Sequence, residues 1–264
     1  MNSVFLGMQN ATNNEIKLLR KLGQKKYRQK EQSFLVEGIR AVEQVLGNNL
    51  VDVHSVFVRD TAVSDLSFII INAEPKRMDA GVFDEISDTE NTQGVIALCR
   101  MPQQPKVNVL AKKEGLIIAT DAIQDPGNMG SIIRTAAWFG AKAIIAGKGS
   151  VDVYHPKVVR STAGATGSTP VLQETLLDIL DVFESRGWQS LLLDAGKNAK
   201  SLREIERTSK TILVVGNEGN GVSEELLQSF REKVKIESAG SDRTVESLNA
   251  AMAVGIALYA LGGE

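Results

Sequence analysis

Four apolar runs from residue 115 onwards, "GLIIATDA", "KAIIAG", "WQSLLLDA" and "TILVVGN", show no polar alternation. A strand with one wet face alternates apolar and polar residues, whereas a strand covered on both faces does not. A further strand, "VKIES", and the helical stretches "ETLLDILDVFESRG", "SEELLQSF" and "ESLNAAMAVGIALYAL" lie among them. Strands of this kind separated by helices predict an α/β fold built on a parallel sheet with helices on both faces. Ligands of such sheets bind at the carboxyl ends of the strands, where the loops gather.

The first hundred residues read differently. "SFLVEG", the helix "IRAVEQVLG", "VHSVFVR" and "TQGVIALCR" predict a smaller α/β unit. The stretch "MPQQPKVNVLAKKEG" carries two prolines and two glutamines and reads as a linker. The expected division is therefore residues 1–103, a linker at 104–114, and a larger domain at 115–264. A chain of 264 residues has room for both cores.

Composition narrows the chemistry. There is no run of 18 apolar residues, and "MNSVFLGMQNATNNE" lacks a signal-peptide pattern, so a cytoplasmic protein with no membrane segment is expected. The single Cys99 forms no internal disulfide and reads as a small buried hydrophobe. The two histidines, His54 and His155, are far apart, which argues against a zinc site or a His-based metal centre. A net charge of −2 argues against binding nucleic acid over the whole surface but leaves room for a local patch. "IKLLRKLGQKKYRQK", residues 16–30, is such a patch: seven cations, no acid, one Tyr, and an apolar stripe through Ile16, Leu18, Leu19 and Leu22. A solvated helix face is the plain reading of it, and a phosphate-tracking surface is the functional one.

Three loops that follow strands are rich in Gly, Asn and Ser. "DAIQDPGNMGSIIRTAAWFG" offers Gly127 and Gly130 but not the G-x-G-x-x-G of a dinucleotide site. Pro126 and Asn128 fit a turn into a helix that stops at Gly140, and a surface ion pair is the plain reading of Arg134. "GNEGNGVSEE" lacks the G-K-[ST] of a P-loop; Ser223 opens a helix, and Glu218 stands between glycines at a strand end. "SAGSDRTVESLNAA" ends in Ser247-Leu248-Asn249 at a helix start.

In this order the three loops resemble the three motifs of the SpoU/TrmH family of RNA ribose 2′-O-methyltransferases, within the SPOUT class. "DPGNMGSIIRTAAWFGA" is similar to the first motif, "LVVGNEGNGVSEEL" to the second and "VESLNAAMAVGIALY" to the third. "HPKVVRSTAGATGSTPV" is similar to the family's segment between the first two motifs, and "IKLLRKLGQKKYRQKEQSFLVEG" to the substrate-binding domain of many members. The resemblance implies a smaller RNA-binding α/β domain followed by a parallel-sheet SPOUT domain with a C-terminal trefoil knot.

The cofactor it implies is S-adenosylmethionine, lined by Gly216, Ile236 and Leu248, with no metal. Arg134, Asn128, Glu218, Ser247 and Asn249 would act on the target ribose. Lys25, Lys26 and Arg28 would contact RNA, with ribosomal RNA the expected substrate. A homodimer through the knotted domain is implied as well. The family's Ile-Pro before the third motif is absent: Ile236 is followed by Glu237, and the loop to Ser247 is longer. That loop would touch the cofactor, which keeps a non-catalytic RNA-binding protein of the same fold as an alternative. A transfer RNA methyltransferase is the other.

Overall fold

The computed structural model describes residues 7–48, 50–62, 66–196, 198–206, 208–238 and 247–262. They divide into two compact units, one drawn from residues 1–103 with Asp152–Ser168, the other from 104–151 with 169–264.

The first unit begins with α1 (Asn13–Leu22) and α2 (Lys25–Glu31). A capping box starts α1: the Thr12 side chain accepts from the Glu15 amide while the Glu15 carboxylate accepts from the Thr12 amide. Then come β1 (Ser33–Glu37), α3 (Ile39–Asn48), β2 (Val53–Arg59), α4 (Ser67–Ala73), β3 (Lys76–Met78), α5 (Ala80–Ile86) and β4 (Val95–Arg100). The strands form a sheet in the order β1-β4-β2-β3, antiparallel except for the β2–β3 pair. One side packs Phe34, Val36, Val56 and Cys99 with Val42 and Val45 of α3; the other packs Phe57, Ile96 and Leu98 with Leu19 and Leu22 of α1. Burial raises the Cys99 thiol to about 12, as befits a small core hydrophobe. His54 is exposed on β2.

The second unit runs through α6 (Val107–Leu110), β5 (Gly115–Asp121), α7 (Pro126–Trp138) and β6 (Ala143–Gly147). The chain then supplies α8 (Pro156–Ser161) to the first unit. It returns through β7 (Val171–Glu174), α9 (Leu176–Glu184), β8 (Gln189–Leu193), β9 (Lys200–Ser201), β10 (Lys210–Gly216), α10 (Glu224–Leu227), β11 (Glu232–Lys235) and α11 (Ala250–Gly262). The seven strands lie in the order β7-β6-β5-β10-β8-β11-β9, and every pairing is parallel. The non-alternating runs become its central strands, with Ile117, Ile118, Ile144, Ile145, Leu213 and Val214 all fully buried. Among the described residues no helix is long and apolar enough to cross a membrane.

Two features depart from the expected division. Residues 104–114 are not a bare linker, because they hold α6, and Leu110 and Ala111 are buried in the core of the second unit. Trp188 fixes that segment by donating from Nε1 to the Ala111 carbonyl at 3.0 Å. Asp152–Ser168 belongs to the first unit rather than the second. There Val159 enters the apolar core, Tyr154 packs on Phe34 at 4.8 Å between ring centroids, and Asp152 pairs with Arg28. The expected RNA contact through Arg28 is corrected by this pair. Its guanidinium is 1% exposed and donates to Asp152 Oδ2 at 2.6 and 3.0 Å and to the carbonyls of Leu22 and Gly23. A buried guanidinium needs all of these partners and has no face left for a phosphate.

Candidate active site

Strands β5 and β10 are neighbours in register, with Val215 opposite Thr120 and Gly216 opposite Asp121. Their carboxyl ends therefore release two loops side by side. The loop after β5 turns through Ala122, whose φ of +53° is uncommon for a residue with a Cβ. It enters α7 at Asp125, whose side chain accepts from the Asn128 amide at 2.7 Å, with Pro126 in the first turn. The loop after β10 folds back on itself, the Gly221 amide donating to the Asn217 carbonyl at 2.8 Å. A Cβ on Gly216 would collide with the backbone of Gly221 and Val222, so only glycine fits there.

These two loops and the start of α11 are joined by side chains. Asn128 donates from Nδ2 to Glu218 Oε1 at 2.5 Å and accepts at Oδ1 from Asn249 Nδ2 at 2.7 Å. Asn249 also caps α11, its Oδ1 accepting from the amides of Ala251 and Met252. One residue from each of the three motifs thus meets in a continuous hydrogen-bonded chain.

Beside that chain lies a cavity of about 270 Å³. Gly216, Ile236 and Leu248 line it together with Glu218 and Ser247, and Leu193, Val215, Ala250 and Ala253 add further apolar wall. Its polar lining also includes Asp194, Asn217 and Lys235, three residues that sequence reasoning did not single out. Asn217 alone left a trace, as an Asn between a strand end and Glu218. Of the loop that departs from the third motif, residues 239–246 lie outside the described residues.

Arg134 does not line this cavity. It is exposed on α7 and forms no hydrogen bond or ion pair among the described residues, so the surface ion pair is absent. In the first unit Lys25 and Lys26 are exposed on α2, and Lys21 of α1 lies 5.7 Å from the centre of the Tyr27 ring.

An apolar-walled cavity with a hydrogen-bonded polar rim, at the carboxyl ends of central parallel strands, defines an α/β enzyme that holds a small molecule against a polar substrate. Comparison with known proteins specifies the class. A sequence model of the SpoU rRNA methylase family matches residues 115–259, and one of the MRM3-like substrate-binding domain matches residues 13–97. The chain is 33% identical over 258 residues to the 23S rRNA (guanosine(2553)-2′-O)-methyltransferase RlmP of Bacillus subtilis, covering 97% of this chain and 99% of that one.

Among solved structures it is similar to the SpoU methyltransferase AviRb from Streptomyces viridochromogenes in complex with AdoMet (TM-score 0.81, 25% identity, 95% of this chain and 97% of that one). It is also similar to the AdoMet-bound rRNA methyltransferase from Sinorhizobium meliloti (TM-score 0.78, 26% identity, 96% and 95%). The chain belongs to the SpoU rRNA methylase family. Its larger unit carries the SPOUT-type parallel sheet, and the matched substrate-binding domain falls in the smaller one.

Proposed function

We infer that the protein methylates RNA, transferring a methyl group from S-adenosylmethionine to a ribose 2′-hydroxyl, with ribosomal RNA as substrate. The observation that carries this reading is the Asn128–Glu218–Asn249 chain beside a cavity of about 270 Å³ lined by Gly216, Ile236 and Leu248. It is supported by the family membership and by the relative named as a 23S ribosomal RNA 2′-O-methyltransferase over nearly the whole chain. The RNA-modifying relatives also support the cytoplasm as its place of action.

The residues present fit the cofactor. Leu193, Val215, Ile236 and Leu248 offer apolar surface to a purine or a thioether chain, and Asp194 offers an acceptor for hydroxyl or amino groups. When bound, S-adenosylmethionine supplies a methyl group already activated by its sulfonium. What the chain must add is alignment and management of the hydroxyl proton. Arg134, exposed and without a partner among the described residues, binds the substrate phosphate next to the target ribose and stabilises charge developing on the 2′-oxygen. It does not act as a literal base, because a guanidinium stays protonated. Glu218, Asn128, Ser247 and Asn249 hold the ribose in line. The trefoil knot belongs to the same reading, and the segment through residues 239–246 lies outside the described residues.

A homodimer through the second unit is part of the proposal. Met252, Ile256 and Tyr259 are spaced along α11 as one exposed apolar stripe, and Trp138 and Phe139 extend it from the end of α7. Phe139 reaches to within 3.7 Å of where a side chain on Gly262 would start. Lys25 and Lys26 on the first unit are proposed as RNA contacts.

The test is transfer of labelled methyl from S-adenosylmethionine to unmodified ribosomal and transfer RNAs, followed by mapping of the modified ribose. Label on a single ribose of 23S ribosomal RNA is expected. Label confined to transfer RNA would replace the substrate, and RNA binding without label would support a non-catalytic member.

A further inference from the structure

We propose that Asn217 is a positioning residue that sets Glu218 against Asn128 by tying the loop after β10 to the loop after β5. The inference rests on the reading of Glu218 and Asn128 as ribose-orienting residues given above.

Four hydrogen bonds define the role. Asn217 Oδ1 accepts from the amides of Gly219 and Asn220 at 2.9 and 3.3 Å, which closes a turn around Glu218. The Asn217 carbonyl accepts from the Gly221 amide at 2.8 Å, which shuts the loop. Nδ2 leaves the loop altogether and donates to the carbonyl of Ala122 at 2.9 Å. Ala122 is the left-handed residue where the chain turns out of β5 towards α7 and Asn128. One amide group therefore spends its acceptor on the loop that carries Glu218 and its donor on the loop that leads to Asn128.

The geometry it serves is narrow. The Asn128–Glu218 bond is 2.5 Å long and joins residues 90 apart in sequence. Among the described residues the other side-chain tie between these loops is Asp121 Oδ2, which accepts from the Ser223 amide at 2.7 Å on the far side of Gly221. Asp121 holds the exit of the loop and Asn217 holds its entry, next to Glu218. A donor at position 217 is thus required in addition to an acceptor. Aspartate keeps the turn but faces the Ala122 carbonyl with a second acceptor.

The experiment compares Asn217→Asp with the wild type in the full-length protein. Single-turnover methyl transfer to ribosomal RNA, calorimetric affinity for S-adenosylmethionine and the Asn128 side-chain amide resonance are measured, the resonance being assigned by its loss in Asn128→Ala. The expected result is a fall in the transfer rate of about tenfold, the scale of one lost orienting contact, with cofactor affinity within about threefold. The Asn128 resonance should move towards its position in Glu218→Ala.

An unmoved resonance, an unchanged rate where Glu218→Ala is itself slow, or a loss confined to cofactor affinity overturns the proposal. Because Asn217 also lines the cavity, that last outcome would make it a cofactor ligand instead. Should Asn217→Asp lose its cooperative melt, Asn217→Ser, which keeps a turn acceptor and loses the long donor, is read by the same criteria. A normal rate in Glu218→Ala would refute the ribose-orienting reading and not this one, since the resonance still reports whether Asn217 sets the contact.

Discussion

Arg134 and Arg28 are the same residue type in opposite situations. Arg134 faces solvent and has no protein partner among the described residues, so its hydrogen-bonding fork is available to a phosphate. Arg134→Lys keeps the charge and loses the planar fork, so methyl transfer should fall by about tenfold or more while cofactor affinity measured by calorimetry stays unchanged. Retained near-full activity would show that charge alone suffices.

Arg28 is enclosed with Asp152, and removing one partner strands the other charge. Asp152→Asn should cost about 3–5 kcal/mol of stability in a denaturant titration. Replacing Lys25 and Lys26 by Ala should instead leave stability alone and flatten the salt dependence of RNA binding by about 1.5 in log–log slope.

His155 adds a pH signature at the same scale. Burial holds its imidazole below the ordinary value, and the Arg28 guanidinium pushes in the same direction against Asp88 and Asp152. Its Nδ1 accepts from the Lys157 amide at 3.2 Å at the start of α8, a bond only the neutral ring can make. The folded-state value is depressed, so the unfolded chain takes up the proton first. The stability contributed is present above about pH 6.5, the unfolded value, and is lost as pH falls through it towards the folded one. His155→Asn keeps a capping acceptor that does not titrate. It should therefore show a smaller drop in melting temperature than wild type between about pH 7 and 5.5.

At the scale of elements, β5, β6, β8 and β10 were legible because a strand buried on both faces leaves an uninterrupted apolar run. The short edge strands β7 and β9 left no such run, having few core residues to place. The helix expected over "SEELLQSF" shrinks to Glu224–Leu227. That expected over "ESLNAAMAVGIALYAL" starts only at Ala250, because Asn249 spends its side chain as the cap. α8 and its place in the first unit were hidden, since the bond that anchors them joins residues 124 apart and no local period records it. The site was legible as three loops, and its residues were named only through resemblance to a family. That Asn128 and Glu218 touch is a fact of strand register, with Gly216 opposite Asp121, and Asn249 joins them from the start of α11. Asn217 escaped because an Asn after a strand is ordinary until its donor is seen to leave the loop.

At the scale of the whole molecule, the net charge of −2 conceals an uneven distribution. Lys17, Arg20, Lys21, Lys25, Lys26 and Lys30 are all exposed on α1 and α2, so RNA affinity is expected to reside in the first unit and chemistry in the second. The apolar stripe on α11 predicts the assembly. Wild type should sediment at twice 28.5 kDa, and Met252→Glu combined with Tyr259→Glu should bring the mass down to 28.5 kDa. A wild type that sediments as a monomer at all concentrations would remove the dimer.

The assignment of Asp152–Ser168 to the first unit has a consequence for the order in which the protein is made. A chain is synthesised from its N-terminus, and domains tend to fold as they emerge. All four strands of the first sheet are available once Arg100 has been added, yet the counter-ion of Arg28 arrives more than fifty residues later. Until then the nascent first unit holds a cation bound for its interior with nothing to neutralise it. Its completion is therefore timed by the translation of the second unit's early strands, β5 and β6, which precede Asp152 in the chain.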